Sequence, residues 1–156
     1  MLLTLLALSG CSRGIQPTPE LAGPDCVSVD CRLRAEIDQW IGVPHRLGGA
    51  SRAGLDCSAF TSGLYRRLFG IHIPRTTDRQ RLIGMAVPCS RLQAGDLLFF
   101  ETPAGKRHVG IYLSRGEFAH VSTSQGVTIS RIDAAYWHET FQTARRLAEI
   151  TAPPAF

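Results

Sequence analysis

One cysteine and two histidines are the residues of this chain best placed to do chemistry. Cys57 lies in Leu55-Asp56-Cys57-Ser58-Ala59-Phe60, directly after the glycine-rich stretch Leu47-Gly48-Gly49-Ala50-Ser51-Arg52-Ala53-Gly54. Phe60, Leu64 and Leu68 then recur at four-residue spacing, which marks one face of a helix. The pattern predicts a loop followed by a helix, with the cysteine in the first turn. Free N–H groups and the positive end of the helix dipole lie there, and both favour a thiolate over a thiol. Cys57 is therefore expected to be a nucleophile. The rest of the chain must supply a base, an orienting group and an oxyanion site.

The second half offers the base. In His108 to Leu113, Val109, Ile111 and Leu113 fall on one face, and His108, Gly110 and Tyr112 on the other. Ser114-Arg115-Gly116 reads as a hairpin loop, and Glu117 to Val121 as the returning strand. Matching apolar residues sets Val109 opposite Val121 and Ile111 opposite Ala119; a slip of one residue would put them on opposite faces. His120 then lies across from Gly110, with His108 its diagonal neighbour, the Cβ atoms roughly 7 Å apart or less. If the helix carrying Cys57 packs on that face, a Cys–His–His set results. His108 would take the thiol proton and later protonate the leaving amine. His120 would hold the tautomer and orientation of His108.

Several further elements must hold these residues. Leu33, Ile37, Trp40 and Ile41 fall at helical spacing after Asp30, the expected N-cap, and Gly42-Val43-Pro44 stops that helix. The helix carrying Cys57 is expected to run to about Phe69, with Gly70 as its C-terminal cap. Thr77-Asp78-Arg79-Gln80 has capping-box form and predicts a short helix. Asp96 to Phe100 reads as a buried strand, and Gly126 to Ile132 and Phe141 to Leu147 as two more. Helices first and strands afterwards mean an α+β fold, with N-terminal helices on an antiparallel sheet.

The 156 residues suit one domain with a real core, and 44% apolar and 19% charged residues are globular values. The net charge of +4 comes from scattered arginines, with no basic stripe carrying interleaved aromatics, so nucleic acid is not an expected partner. Met1 to Leu8 is apolar but too short to span a bilayer. Its sequel, Leu8-Ser9-Gly10-Cys11, resembles the lipobox of bacterial lipoprotein signal peptides, which implies cleavage before Cys11 and lipid on that cysteine. Ser12 to Pro24, with Pro17, Pro19 and Pro24, reads as a tether. The expected organisation is a signal peptide over 1–10, lipidated cysteine and tether over 11–29, a catalytic domain over 30–150 and a tail over 151–156. The chain has five cysteines. With Cys11 lipidated and Cys57 catalytic, two of Cys26, Cys31 and Cys89 could pair in an oxidising compartment, and the spacing does not choose which. No zinc-type spacing is present and no metal is expected.

Read in order, Trp40-Ile41-Gly42-Val43-Pro44-His45-Arg46-Leu47-Gly48-Gly49, Asp56-Cys57-Ser58, Pro74-Arg75-Thr76-Thr77, Gly95-Asp96-Leu97-Leu98-Phe99-Phe100, His108-Val109-Gly110-Ile111-Tyr112, His120-Val121-Ser122 and Tyr136-Trp137 form a recognisable series. It resembles the NlpC-type cell-wall peptidases, papain-like cysteine peptidases related to the CHAP amidases. Within them it is most similar to the small murein endopeptidase lipoproteins of the Spr (MepS) type. The resemblance covers about Asp38 to Leu147. It implies a papain-like fold with about five to six strands, and Cys57, His108 and His120 as nucleophile, base and third polar residue. It also implies that Asp56 and Ser58 line the site, Asp56 receiving a free amino group of the peptide stem. The oxyanion would be held by the Cys57 N–H and a side-chain donor near residue 45. There this chain departs from the family, with His45 where a tyrosine is usual. An imidazole is shorter and titrates near neutrality.

The expected function is thus a lipid-anchored, monomeric cysteine peptidase without cofactor, hydrolysing amide bonds in peptidoglycan stem peptides or cross-links. The favoured bond is D-alanyl–diaminopimelate, with D-glutamyl–diaminopimelate its rival. The expected location is the periplasmic side of the outer membrane. Two alternatives come from other classes: a non-catalytic wall-binding lipoprotein and an acyltransferase on the same fold. His72 and His138 read as structural, Trp40 and Phe99 as core, Asp96 as a strand-end residue, and Arg75 as a loop-positioning residue. His45 stands between a site donor and a surface residue.

Overall fold

Ser28 opens the first helix, α1 (Val29–Asp38), accepting the Cys31 N–H on its side chain. The cap thus lies two residues before the expected Asp30. Leu33 and Ile37 are buried as the spacing predicts. The computed structural model describes residues 28–147 and 150; the expectations for Cys11, Cys26 and the tether lie outside these. The glycine-rich stretch folds as a small hairpin, β1 (Ala50–Ser51) against β2 (Gly54–Leu55). It leads into α2 (Cys57–Phe69), where Asp56 caps the N-terminus by accepting the Ala59 N–H. Gly70 closes α2 in the left-handed conformation, φ 69°, and donates its N–H to the Arg66 carbonyl.

A single turn, α3 (Thr77–Gln80), follows, but not as a capping box. Its N-cap is Thr76, which makes no side-chain cap bond. Gln80 turns inward instead, accepting the Thr61 hydroxyl at 2.9 Å and donating to the Ser58 and Pro74 carbonyls at 3.0 and 2.8 Å. A fully buried amide needs such partners, and in meeting that need it ties α3 to α2.

Six strands complete the fold: β3 (Met85–Val87), β4 (Leu97–Glu101), β5 (Arg107–Tyr112), β6 (Glu117–Ser122), β7 (Gly126–Arg131) and β8 (Phe141–Arg146), with a short α4 (Ala135–Thr140) before β8. They form one antiparallel sheet in the order β3-β8-β4-β5-β6-β7. The α+β expectation holds. β3 and α4, three and six residues long, are too short to leave a periodic signature.

The two faces of the sheet differ. Leu97, Phe99, Val109, Ile111, Ala119 and Val121 pack with Phe60, Leu64 and Tyr65 of α2 in the main core. Leu98, Phe100, Phe118 and Ala144 form a second cluster with Trp137 and Phe141 on the other side. Alternation along β5 and β6 places His108 and His120 on that second face, where both rings meet Trp137. The helix carrying Cys57 therefore does not pack on the histidine face. Its apolar stripe seeks the apolar face, and only its N-terminus comes to the histidines.

Candidate active site

The β5–β6 register pairs Gly110 with His120 and Ile111 with Ala119, as the apolar pattern requires. Gly110 is needed there: a Cβ would meet Phe118 Cδ2 at 2.6 Å and the Ala119 carbonyl oxygen at 2.9 Å. Pairing begins at Gly110, so the expected Val109–Val121 pair is not part of the ladder. The strands have parted at that point, and the Val109 N–H is turned to the Cys57 sulfur. The first turn of α2 thus meets β5 one residue from His108. The Thr77 hydroxyl lies 3.7 Å from the same sulfur, held there by the Gln80 anchorage of α3.

His108 Nε2 and His120 Nδ1 are 3.1 Å apart, with the rings near perpendicular. This leaves His108 Nδ1 as the ring nitrogen available to Cys57. On the far side, His120 Nε2 lies 2.9 Å from Ser130 Oγ on β7. Phe118 stacks on His120 with centroids 5.0 Å apart, and Trp137 stacks on His108 at 5.6 Å and meets His120 edge-on at 4.7 Å. Burial in this aromatic setting disfavours the imidazolium and pushes His108 down to about 4, with electrostatic interaction with His45 adding to the effect. Burial likewise pushes His120 down to about 3, with His108 adding to it.

Burial also raises the Cys57 thiol above its ordinary value. Stabilisation of the thiolate by the Val109 and Ser58 N–H groups and the Thr77 hydroxyl does not offset it. Burial thus opposes the thiolate that the helix start favours. The buried sulfur loses more by desolvation than the helix N-terminus returns. Both shifts favour a neutral thiol–imidazole pair at rest.

Asp56 is tied down on both oxygens. Oδ1 accepts from the Ala59 N–H, the Ser58 hydroxyl and Arg75; Oδ2 accepts from the Gly48 N–H and Arg75, each at 2.8 to 3.0 Å. These five donors meet the roughly four lone-pair directions of a carboxylate. Burial opposes ionisation of Asp56, but the bonds from Arg75, Ala59 and Ser58 together hold its carboxyl below the usual range. Arg75 also donates to the Gly49 carbonyl and to Ser58 Oγ, so it fastens the glycine-rich loop to the start of α2. His45 is half-buried and bridges to Leu55, two residues before Cys57.

Of the residues singled out from the sequence, Asp56, Cys57, Ser58, His108 and His120 come together, and His45 stands beside them. Cys31 is disulfide-bonded, whereas Cys57 and Cys89 are free thiols. His72 and His138 are exposed, Asp96 is buried in a bidentate pair with Arg146, and Trp40 and Phe99 are core. Sequence reasoning missed Thr77, Ser130 and the wall made by Trp137. Ser130 was within reach: extending the hairpin register to β7 pairs it with Phe118, diagonal to His120 on the same face.

This arrangement has known counterparts. The model of the NlpC/P60 family matches residues 42–146. The chain belongs to the NlpC/P60 family. It is 40% identical over 149 residues to "Probable endopeptidase NlpC" of Escherichia coli, covering 94% of this chain and 97% of the relative. It is 41% identical over 121 residues to "Murein DD-endopeptidase MepS/Murein LD-carboxypeptidase" of the same species, covering 78% of this chain but 64% of that relative. A solved NlpC/P60 family protein from Bacillus cereus superposes with a TM-score of 0.69 at 34% identity, over 76% of this chain and 40% of that one. The sheet and helices described above are thus the papain-like NlpC/P60 domain.

Proposed function

We propose that the protein is a cysteine endopeptidase that hydrolyses amide bonds in peptidoglycan stem peptides or cross-links. The observation that carries this is the bond between His108 and His120 beside a Cys57 held at the end of β5. His108 Nδ1 takes the thiol proton as the sulfur attacks the substrate carbonyl. The neutral resting pair makes this a general-base step triggered by substrate. The Cys57 N–H, a first-turn donor without an intrahelical acceptor, and His45 hold the tetrahedral oxyanion. The imidazolium formed on His108 gains from the Trp137 face and from His120, then protonates the leaving amine. Water, activated by His108, releases the acyl group. Asp56 and Ser58 serve by holding Arg75 and the first turn, since the Asp56 oxygens have no open lone pair for a substrate amine.

A relative named as a murein DD-endopeptidase supports the D-alanyl–diaminopimelate bond, with D-glutamyl–diaminopimelate the rival. The Leu8-Ser9-Gly10-Cys11 stretch supports a lipid anchor at Cys11 and placement on the periplasmic side of the outer membrane. Cys11→Ser is expected to abolish membrane fractionation, and an unaltered membrane fraction would sink that assignment. For the activity, purified sacculi are treated with wild type and Cys57→Ala, and the released muropeptides are identified by mass spectrometry. New amino termini with wild type alone establish hydrolysis and name the bond. Binding by both without products means a wall-binding module, and products joined to an added amine mean acyl transfer.

A further inference from the structure

We infer that Ser130 is a positioning residue that decides whether His108 can act as a base. This rests on the peptidase reading above. Each neutral imidazole has one N–H and one acceptor nitrogen, so a chain of two imidazoles and a hydroxyl has two internally consistent states. In one, the His120 Nε2–H donates to Ser130 Oγ, leaving His120 Nδ1 to accept the His108 Nε2–H. His108 Nδ1 is then bare and can take the Cys57 proton. In the other, the Ser130 hydroxyl donates to His120 Nε2, His120 donates from Nδ1, and His108 carries its hydrogen on Nδ1. That state has no base facing Cys57.

Ser130 favours the first state by its place in the fold. It lies on β7, the last strand of the sheet order, and is half-buried, so its hydroxyl hydrogen can point to solvent. Among the described residues, Ser130 Oγ has no other hydrogen-bond partner. His120 has no such freedom. It is 2% exposed, and Phe118 and Trp137 cover its ring, so Ser130 is the partner on which Nε2 depends. After proton transfer, His108 keeps its Nε2–H on His120, and His120 keeps its own on Ser130. The new proton stays at His108 Nδ1 until the leaving amine takes it.

Ser130→Ala removes the acceptor. His120 then gains by moving its hydrogen to Nδ1, where His108 Nε2 can accept it, and the second state fills. The test is long-range nitrogen–proton NMR of the histidine rings, with steady-state kinetics on a defined muropeptide. Wild type is expected to carry hydrogen on Nε2 of both His108 and His120. Ser130→Ala should shift His120 toward the Nδ1–H form and lower kcat on the order of tenfold with KM unchanged. Ser130→Thr, which keeps the hydroxyl, should restore both. An Nδ1–H His120 in wild type overturns the inference, as does an Ser130→Ala variant with unaltered kcat and ring signals. The ring signals need no turnover. An enzyme inert on every muropeptide would therefore defeat the peptidase reading while the tautomer result stood apart from it.

Discussion

On one face of the sheet, Val109, Ile111, Ala119 and Val121 lie against Phe60, Leu64 and Tyr65 of α2. On the other, His108 and His120 stand among Phe100, Phe118 and Trp137. Both faces exclude water, to different ends. The helix face buries aliphatic and aromatic surface, worth about 1.5–3 kcal/mol for each large side chain fully covered. The histidine face uses aromatic cover to keep two imidazoles neutral, which costs stability wherever they would otherwise be charged. Cys57 belongs to the first face by its helix, and its sulfur meets the Val109 N–H one residue from His108. A helix N-terminus at the point where β5 and β6 part is what lets one residue serve both.

The largest separation between the faces is expected from a pair of substitutions. His108→Ala should lower kcat/KM on the order of 10³-fold, with a loss of folding stability under about 2 kcal/mol. Phe60→Ala should cost about 3–5 kcal/mol in urea unfolding, while the folded fraction keeps kcat within about threefold of wild type. Comparable stability losses from both would erase the division of labour between the faces.

A second contrast is in acid. Above about pH 6.5 the imidazoles are uncharged in the folded and unfolded chain alike. Below that, the unfolded chain takes up protons that the native site refuses until His108 and His120 reach about 4 and 3. Stability therefore falls as pH drops through that window. Thermal melts between pH 7 and 4 should show the slope, and His120→Asn should flatten it. Identical slopes in the two proteins would mean that the histidine face is not the source.

The resting thiol gives a third measurement. Alkylation of Cys57 in the free enzyme should keep rising with pH beyond about 8.5, the midpoint of an ordinary cysteine. A plateau near pH 6 would reveal a thiolate–imidazolium pair and contradict the neutral state. The smallest effect is expected at the wall. Trp137→Leu keeps much of the cover but loses the stacked face, and should lower kcat by about 1 kcal/mol, or fivefold, with little change in KM.

Much of this was legible in the sequence because it is local. The span of α2, its Gly70 cap, and the pairing of Gly110 with His120 follow from periodicity and register, which neighbouring residues determine. Two points were not legible. The Cys–His–His set was conditional on the helix packing on the histidine face, and the helix start favoured a thiolate at Cys57. Both depend on what long-range packing buries: the apolar stripe of α2 chose the apolar face, and burial of the sulfur outweighed the helix dipole. Thr77 and Trp137 were hidden for a similar reason, since only the finished fold brings Thr77 to Cys57 and Trp137 to His108 and His120.

The hydrogen bond from Val109 to the Cys57 sulfur comes from the main chain. Exchanging the side chain at position 109 therefore cannot delete it; among the natural amino acids only proline lacks the donor. Drift at that position is checked by the core, where Val109 is fully buried, and not by the chemistry. Genetic loss of function without loss of fold should accordingly concentrate at the side-chain partners, Cys57, His108, His120 and Ser130. A saturation screen scored for both abundance and wall hydrolysis would display that pattern as silent chemistry at position 109 beside intolerance at Cys57, His108 and His120 and a milder loss at Ser130 that threonine escapes.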